Sequence, residues 1–427
     1  MKFAYLQFIV NLASLIFLIP LVSLQYDASI LATYLLITNI VAILYAIDLS
    51  IIPVFISRSQ KIKARNSGSS GYILSSICIL TLIFMLTPFV MKAYARYFEE
   101  ISLQITGLIF LSYMQSVTAN LLNIKGKLHI AKRNDALSGI IRIILIGSAI
   151  LSNYDFSFIL SIWAACLILN VSLNMRNNLI TNFQFSYRIA LSEIIEYRFL
   201  LSRNLLLAFG SISILHGAAM IFALHQDSSR VAQFLLSLKL FQVIKNFSQV
   251  PVTFSLWKLS RLYHKENKLA FKRYLKSVHS NTIHVYLLLS ITVLVLDYLH
   301  VMDILGLELL PLKYLFFILV IQFLELNHGN MSQIYIITFS NPFVLGSILS
   351  GLSILSLNYL LSFNFSVTYA LLIQFLVQLC WNNWYPAYVV SKKLNTRIQE
   401  FLIPVINFKR FFLFICYISR KGIRNLI

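Results

Sequence analysis

Apolar runs about twenty residues long recur from one end of this chain to the other, and that recurrence leaves few folds open. A bilayer core about 30 Å thick is crossed by roughly 20 helical residues at 1.5 Å each. No water is present there to satisfy backbone N–H and C=O groups, so a spanning segment must be a helix or a strand of a closed barrel. Barrel strands are about ten residues long and alternate in hydrophobicity, and these runs do neither. With 59% hydrophobic and only 12% charged residues, the chain is far from the composition of a soluble domain, which is about a quarter charged. The expectation is an all-α polytopic membrane protein.

Twelve spanning segments are expected, at about 3–24, 29–56, 71–91, 101–122, 136–152, 157–175, 200–224, 231–257, 281–299, 312–339, 342–362 and 367–390. The segments between them alternate in charge. Arg58, Lys61, Lys63 and Arg65, then Lys125, Lys127, Lys132 and Arg133, then Arg176, Arg188 and Arg198, follow even-numbered segments. The richest cluster, Lys258 to Lys276, follows the eighth. Odd-numbered segments are followed instead by Asp27, Glu99, Glu100, Asp155, Asp227, Asp297, Asp303 and Glu308, with few basic residues such as Lys92, Arg96 and Arg230. The positive-inside rule therefore places both termini in the cytoplasm, with the basic residues in short loops. That location also argues against nucleic acid as the reason for the net charge of +20. Even the stretch 258–276, where Tyr263, Phe271 and Tyr274 interleave with Lys and Arg, reads as a surface facing anionic lipid.

The domain division follows the spacing. Residues 1–175 form a first six-helix half, 176–199 a cytoplasmic linker, 200–390 a second half, and 391–427 a basic amphipathic tail lying on the cytoplasmic leaflet. Two equal halves around a central cavity suggest an internal repeat. Pro53-Val54 and Pro251-Val252 fall at matching places before basic clusters, and Asn120 and Asn123 match Asn330 and Gln333. Cys78, Cys166, Cys380 and Cys416 have no metal-ligand spacing and read as packing residues. A cleavable signal peptide, a phosphate-binding loop and a zinc-type His-Glu pair are not found, so neither a cofactor nor a catalytic residue is expected.

The segment 231–257 carries the strongest functional signal. Lys239, Gln242, Lys245, Asn246, Gln249 and Thr253 fall within a sector roughly 120° wide at 100° per residue. A charge at the bilayer centre costs at least about 2.5–3.5 kcal/mol, so such a stripe should face protein or water. Lys245 is the deepest. Other ionisable residues away from the ends of their segments are Asp48, Arg142 and Glu325. Lys245, Lys239, Arg142, Gln242 and Gln249 are the candidate binding groups of a positively charged cavity, and Glu325 and Asp48 the candidate functional carboxylates. Pairing of Lys239 or Lys245 with Glu325, or of Arg142 with Asp48, is the structural alternative. His216 and His328 read as satisfied core histidines.

The run Asp48-Leu49-Ser50-Ile51-Ile52-Pro53 with Arg58 resembles the end of the second helix in polysaccharide exporters of the MOP superfamily. Phe323 to Asn330, followed by Asn341-Pro342-Phe343, looks like the tenth helix of Wzx-type O-antigen flippases. The resemblance implies a MATE-like fold and a bacterial inner-membrane flippase. Its substrate would be an undecaprenyl-pyrophosphate-linked oligosaccharide repeat unit, moved from the cytoplasmic to the periplasmic leaflet by ion-coupled alternating access. The resemblance would then make Lys245, Lys239, Arg142, Gln242 and Gln249 ligands of the anionic substrate, and Glu325 and Asp48 the ion-coupling carboxylates. Membrane lipids, a polysaccharide polymerase and a chain-length regulator would be its partners. The rival readings are a cation-coupled exporter of small molecules and a membrane polysaccharide polymerase.

Overall fold

The computed structural model describes residues 2–62, 69–179, 185–264, 268–338, 343–361 and 366–395. Among them the chain is helical apart from short connections, with no strand. The long helices are α1 (Lys2–Gln25), α2 (Ala28–Ile62), α3 (Ser69–Ala93), α4 (Ser102–Ile124), α5 (Leu128–Leu151) and α6 (Phe156–Leu179). After them come α7 (Tyr187–His225), interrupted by a π turn at Ser213–Gly217, then α8 (Ser228–His264), α9 (Lys268–Tyr298), α10 (Leu312–Thr338) and α11 (Val344–Leu360). The last, α12, runs from Val367–Val377 through a π turn at Gln378–Asn382 into Trp384–Leu394. Each expected segment overlaps one of these helices, within the described residues.

Seven described segments are long and apolar enough to cross a membrane by length and composition, among them Ala28–Phe55, Ser69–Ala93 and Leu269–Tyr298. The chain is a multi-pass membrane protein. Helix α8 is outside that set, because its polar stripe offsets its Leu, Phe and Val residues.

The helices are longer than their apolar stretches. Lys132 and Arg133 lie on α5, Arg188 and Arg198 on α7, Lys258 and Arg261 on α8, and Lys272, Arg273 and Lys276 on α9. The expectation that these residues occupy loops is corrected. Backbone hydrogen bonding carries a helix past the hydrocarbon boundary, where polar side chains meet water without penalty. The expected linker 176–199 is likewise mostly helix: Arg176 lies in the last turn of α6, and α7 begins at Tyr187. Cys166 is buried, but Cys78 and Cys380 are exposed rather than packed. Cys416 and most of the expected amphipathic tail lie outside the described residues.

Two compact units emerge: Met1–Leu235 with Ile304–Glu308, and Leu236–Asp303 with the chain from Leu309 onward. In the first, α1 packs on α5, α4 and α5 on α6, α2 on α4, and α7 on α2 and α3. Asn170, Asn174 and Asn178 form a ladder along α6, all buried. Asn134 of α5 donates to Asn174 (2.8 Å), and Asn178 donates to the Thr118 carbonyl of α4 (3.1 Å). Buried amides bonding between helices are the common glue where lipid provides no hydrophobic drive. Glu193 of α7 is fully buried and accepts the Gly71 N–H (2.8 Å) in the first turn of α3, placing a carboxylate at a helix N-terminus. In the second unit, α10 packs on α9 and α12, and α11 on α12. Leu259, Phe271, Leu275, Met331, Ala387 and Val390 draw α8, α9, α10 and α12 into one apolar cluster.

Candidate functional site

The polar stripe of α8 is unevenly covered. Asn246 and Thr253 are exposed; Lys239, Gln242 and Gln249 are half-buried; Lys245 alone is buried. The reason is angular. At 100° per residue Lys245 lies at the edge of the stripe, beside the packed face of Phe241, Ile244 and Ser248. From there its ammonium reaches α10 and donates to Glu325 Oε2 at 2.6 Å. The other carboxylate oxygen, Oε1, accepts from Gln378 Nε2 (3.3 Å) in the π turn of α12. One turn along, Gln249 lies over Gly329, where a Cβ would come within 2.7 Å of its amide nitrogen. The lack of a side chain at Gly329 lets α8 approach α10 at this level.

Around the pair the second unit is rich in buried amides. Asn327 donates to Asn383 (2.5 Å), His328 donates through Nδ1 to the Asn382 carbonyl (2.6 Å), and Ser350 of α11 donates to Asn382 (3.1 Å). Gln322 is fully buried one turn before Glu325, and neither of its amide atoms has a hydrogen-bond partner among the described residues. Lys239 stands differently, with no carboxylate or hydrogen-bond acceptor beside its ammonium among the described residues.

The first unit holds the other two expected residues. Asp48 of α2 is fully buried and accepts three hydrogen bonds, from the Tyr72 hydroxyl of α3 (2.6 Å) and from Ser116 and Asn120 of α4 (both 2.5 Å). Its partners are neutral donors, so the expected alternative of an Arg142 pair is not formed. Arg142 of α5 is half-buried, with its guanidinium 5.6 Å from the centre of the Trp163 ring and one nitrogen 3.4 Å from the Ser14 hydroxyl. Its Nε has no partner among the described residues. His216 of the π turn in α7 is buried and donates through Nδ1 to Asn39 (2.5 Å), and the half-buried His328 is likewise satisfied at Nδ1.

Two buried or half-buried acids escaped the sequence reading. Asp135 of α5 accepts from Gln7 of α1 (2.9 Å), Gln115 of α4 (3.2 Å) and Asn170 of α6 (3.1 Å), and Gln115 in turn accepts from the Tyr45 hydroxyl (2.8 Å). Glu193 caps α3. Both precede the apolar stretches of their helices, so a reading by apolar runs assigns them to loops. The available signal was Asn134-Asp135 preceding Ala136 without a Gly or Pro to stop the helix.

No model of a known protein family matches the chain, and no curated protein sequence does. Solved structures do. A structure of the lipid II flippase MurJ in an inward closed conformation is similar with a TM-score of 0.65 at 13% identity, covering 98% of this chain and 92% of that one. An inward-facing multidrug resistance transporter of the MATE family gives 0.60 at 13% identity, covering 92% and 95%. A MOP superfamily transporter from Pyrococcus furiosus gives 0.52 at 14% identity, covering 92% and 94%. These neighbours are transporters and a flippase. At such identities the likeness speaks for architecture alone, and the chain has an all-α polytopic fold similar to that of these structures.

Proposed function

We propose that this chain is a flippase of the Wzx type, moving undecaprenyl-pyrophosphate-linked oligosaccharide repeat units from the cytoplasmic to the periplasmic leaflet of a bacterial inner membrane. The observation that carries the reading is the likeness, over nearly the whole chain, to a structure of a flippase for lipid II. The cations of the helices fit the substrate chemistry. Lys239 and Arg142 have no carboxylate beside them among the described residues, and Gln242 and Gln249 lie on the half-buried stripe with Lys239. A diphosphate in a site of low dielectric gains from such charges far more than it would in water. Lys245 joins the substrate-binding set by leaving Glu325, and Glu325 and Asp48 carry the ion coupling. Both termini lie in the cytoplasm, and a polysaccharide polymerase and a chain-length regulator act next on the product.

In cells, deletion is expected to strand single lipid-linked repeat units on the cytoplasmic leaflet. Lys245→Ala, at wild-type abundance, is expected to restore little surface polysaccharide. Full export by that variant would remove Lys245 from the substrate site, and normal export by the deletion strain would end the flippase reading. The likeness to the MATE transporter supports a second reading, an exporter of small molecules. Drug sensitivity in the deletion strain with unaltered surface polysaccharide would favour it.

A further inference from the structure

We infer that Lys245 serves two anions in turn, Glu325 and the diphosphate of the substrate, and that Glu325 takes up one monovalent cation each time Lys245 leaves it. This rests on the flippase reading, which supplies the diphosphate. The pair is the starting point: both side chains are withdrawn from solvent, with relative exposures of 9% and 6%, and the 2.6 Å contact makes them neutral together. A diphosphate that draws the ammonium away leaves a carboxylate alone in a buried place, which is strongly unfavourable unless a positive charge replaces the one lost.

The groups facing Glu325 determine what can replace it. Lys245 comes from α8. Tyr286 of α9 is a neutral phenol whose hydroxyl donates to the Leu319 carbonyl (2.7 Å). On α10 itself, His328 is bonded to the Asn382 carbonyl, and Gln378 of α12 is a neutral amide. No second fixed cation is recorded at the carboxylate among the described residues, so the replacement must come from solution.

Spare acceptors stand beside it. Gln378 donates its Nε2 to Glu325 while its own Oε1, buried, has no partner, and Gln322 one turn away has an unpartnered Oε1. Two unpartnered amide oxygens, one on the residue bonded to Glu325 and one a helical turn along from it, suit an added positive charge: a proton shared as O–H···O=C, or a sodium ion held by oxygen. In the exchange the Lys245 ammonium keeps its proton. Its contact moves from the Glu325 oxygen to a phosphate oxygen, and one proton or sodium ion from the aqueous side binds Glu325. Anion and cation then favour each other's binding, and the coupling is reciprocal.

Farnesyl diphosphate is a short-chain probe of the same chemistry. Titrated calorimetrically into the purified full chain in detergent, in buffers of different ionisation enthalpy, it should bind with uptake of about one proton. Affinity should then rise as pH falls. A sodium site would instead give no proton uptake and tighter binding in sodium than in choline salts. Glu325→Gln should bind farnesyl diphosphate about tenfold tighter, with neither proton uptake nor sodium dependence, because Lys245 starts free. Lys245→Gln should lose binding. Wild-type binding with neither uptake nor sodium dependence overturns the exchange and leaves the flippase reading standing. So does Glu325→Gln binding no tighter than wild type. Absence of wild-type binding removes the substrate reading and the exchange with it. If Glu325→Gln does not fold, the wild-type titration decides alone.

Discussion

The ammonium of Lys245 meets the carboxylate of Glu325 at 2.6 Å, joining helices α8 and α10 across eighty residues of sequence. In the first unit Asp48 of α2 meets Ser116 and Asn120 of α4. Asp48 lies five residues before Pro53 and Lys245 six before Pro251, so in both units a buried charge near the same helical proline bonds to the helix two further on. The two charges have opposite sign.

A buried ion pair is costly to break from one side and cheap to replace whole. Lys245→Ala is expected to destabilise the purified protein by about 3–5 kcal/mol, while Lys245→Met combined with Glu325→Leu costs much less. Thermal unfolding in detergent, run as a double-mutant cycle, measures this. A double variant as unstable as the single would mean that the two side chains do not act as a unit.

Asp48 satisfies three donors at once. Asp48→Ala leaves the Tyr72, Ser116 and Asn120 donors without their acceptor, at roughly 1–3 kcal/mol for each group left buried and unpaired. Tyr72→Phe removes one donor and leaves the carboxylate two, so it should cost about 1.5–3 kcal/mol. The order of the two variants in a melting experiment is the check. Equal stability of Asp48→Ala and wild type would show that the contacts contribute nothing.

Gly71 has no room for a methyl group. A Cβ there would stand 2.7 Å from a Glu193 carboxylate oxygen and 2.8 Å from the Phe55 ring. Gly71→Ala is therefore expected to cost about 1–3 kcal/mol and to loosen the start of α7 from α3. Increased proteolysis near Tyr187 is the local readout, and a melting temperature equal to wild type would contradict the expectation.

The orientation is open to cysteine labelling. In a chain with Cys78, Cys166, Cys380 and Cys416 replaced, Glu308→Cys should react in intact cells with a membrane-impermeant maleimide, and Lys127→Cys only after permeabilisation. The reverse pattern would invert the topology and the direction proposed for transport.

Much of this protein was legible in the sequence, and the limit of that legibility has a physical cause. Hydropathy measures what a side chain costs in lipid. It therefore located twelve helices, the polar stripe of α8 and the isolated charges Asp48, Arg142, Lys239, Lys245 and Glu325. Past the hydrocarbon boundary that cost vanishes while the helix continues. The acids at the helix ends, Asp135 and Glu193, were therefore invisible until the backbone was seen to run through them. Periodicity likewise gives the direction of a side chain around its own helix but not the rotation of the neighbouring one. The sequence made Lys245 a deep cation on a polar face. Only the packing of α8 on α10, close where Gly329 has no side chain, gave that cation to Glu325 and left Lys239 without an acid among the described residues.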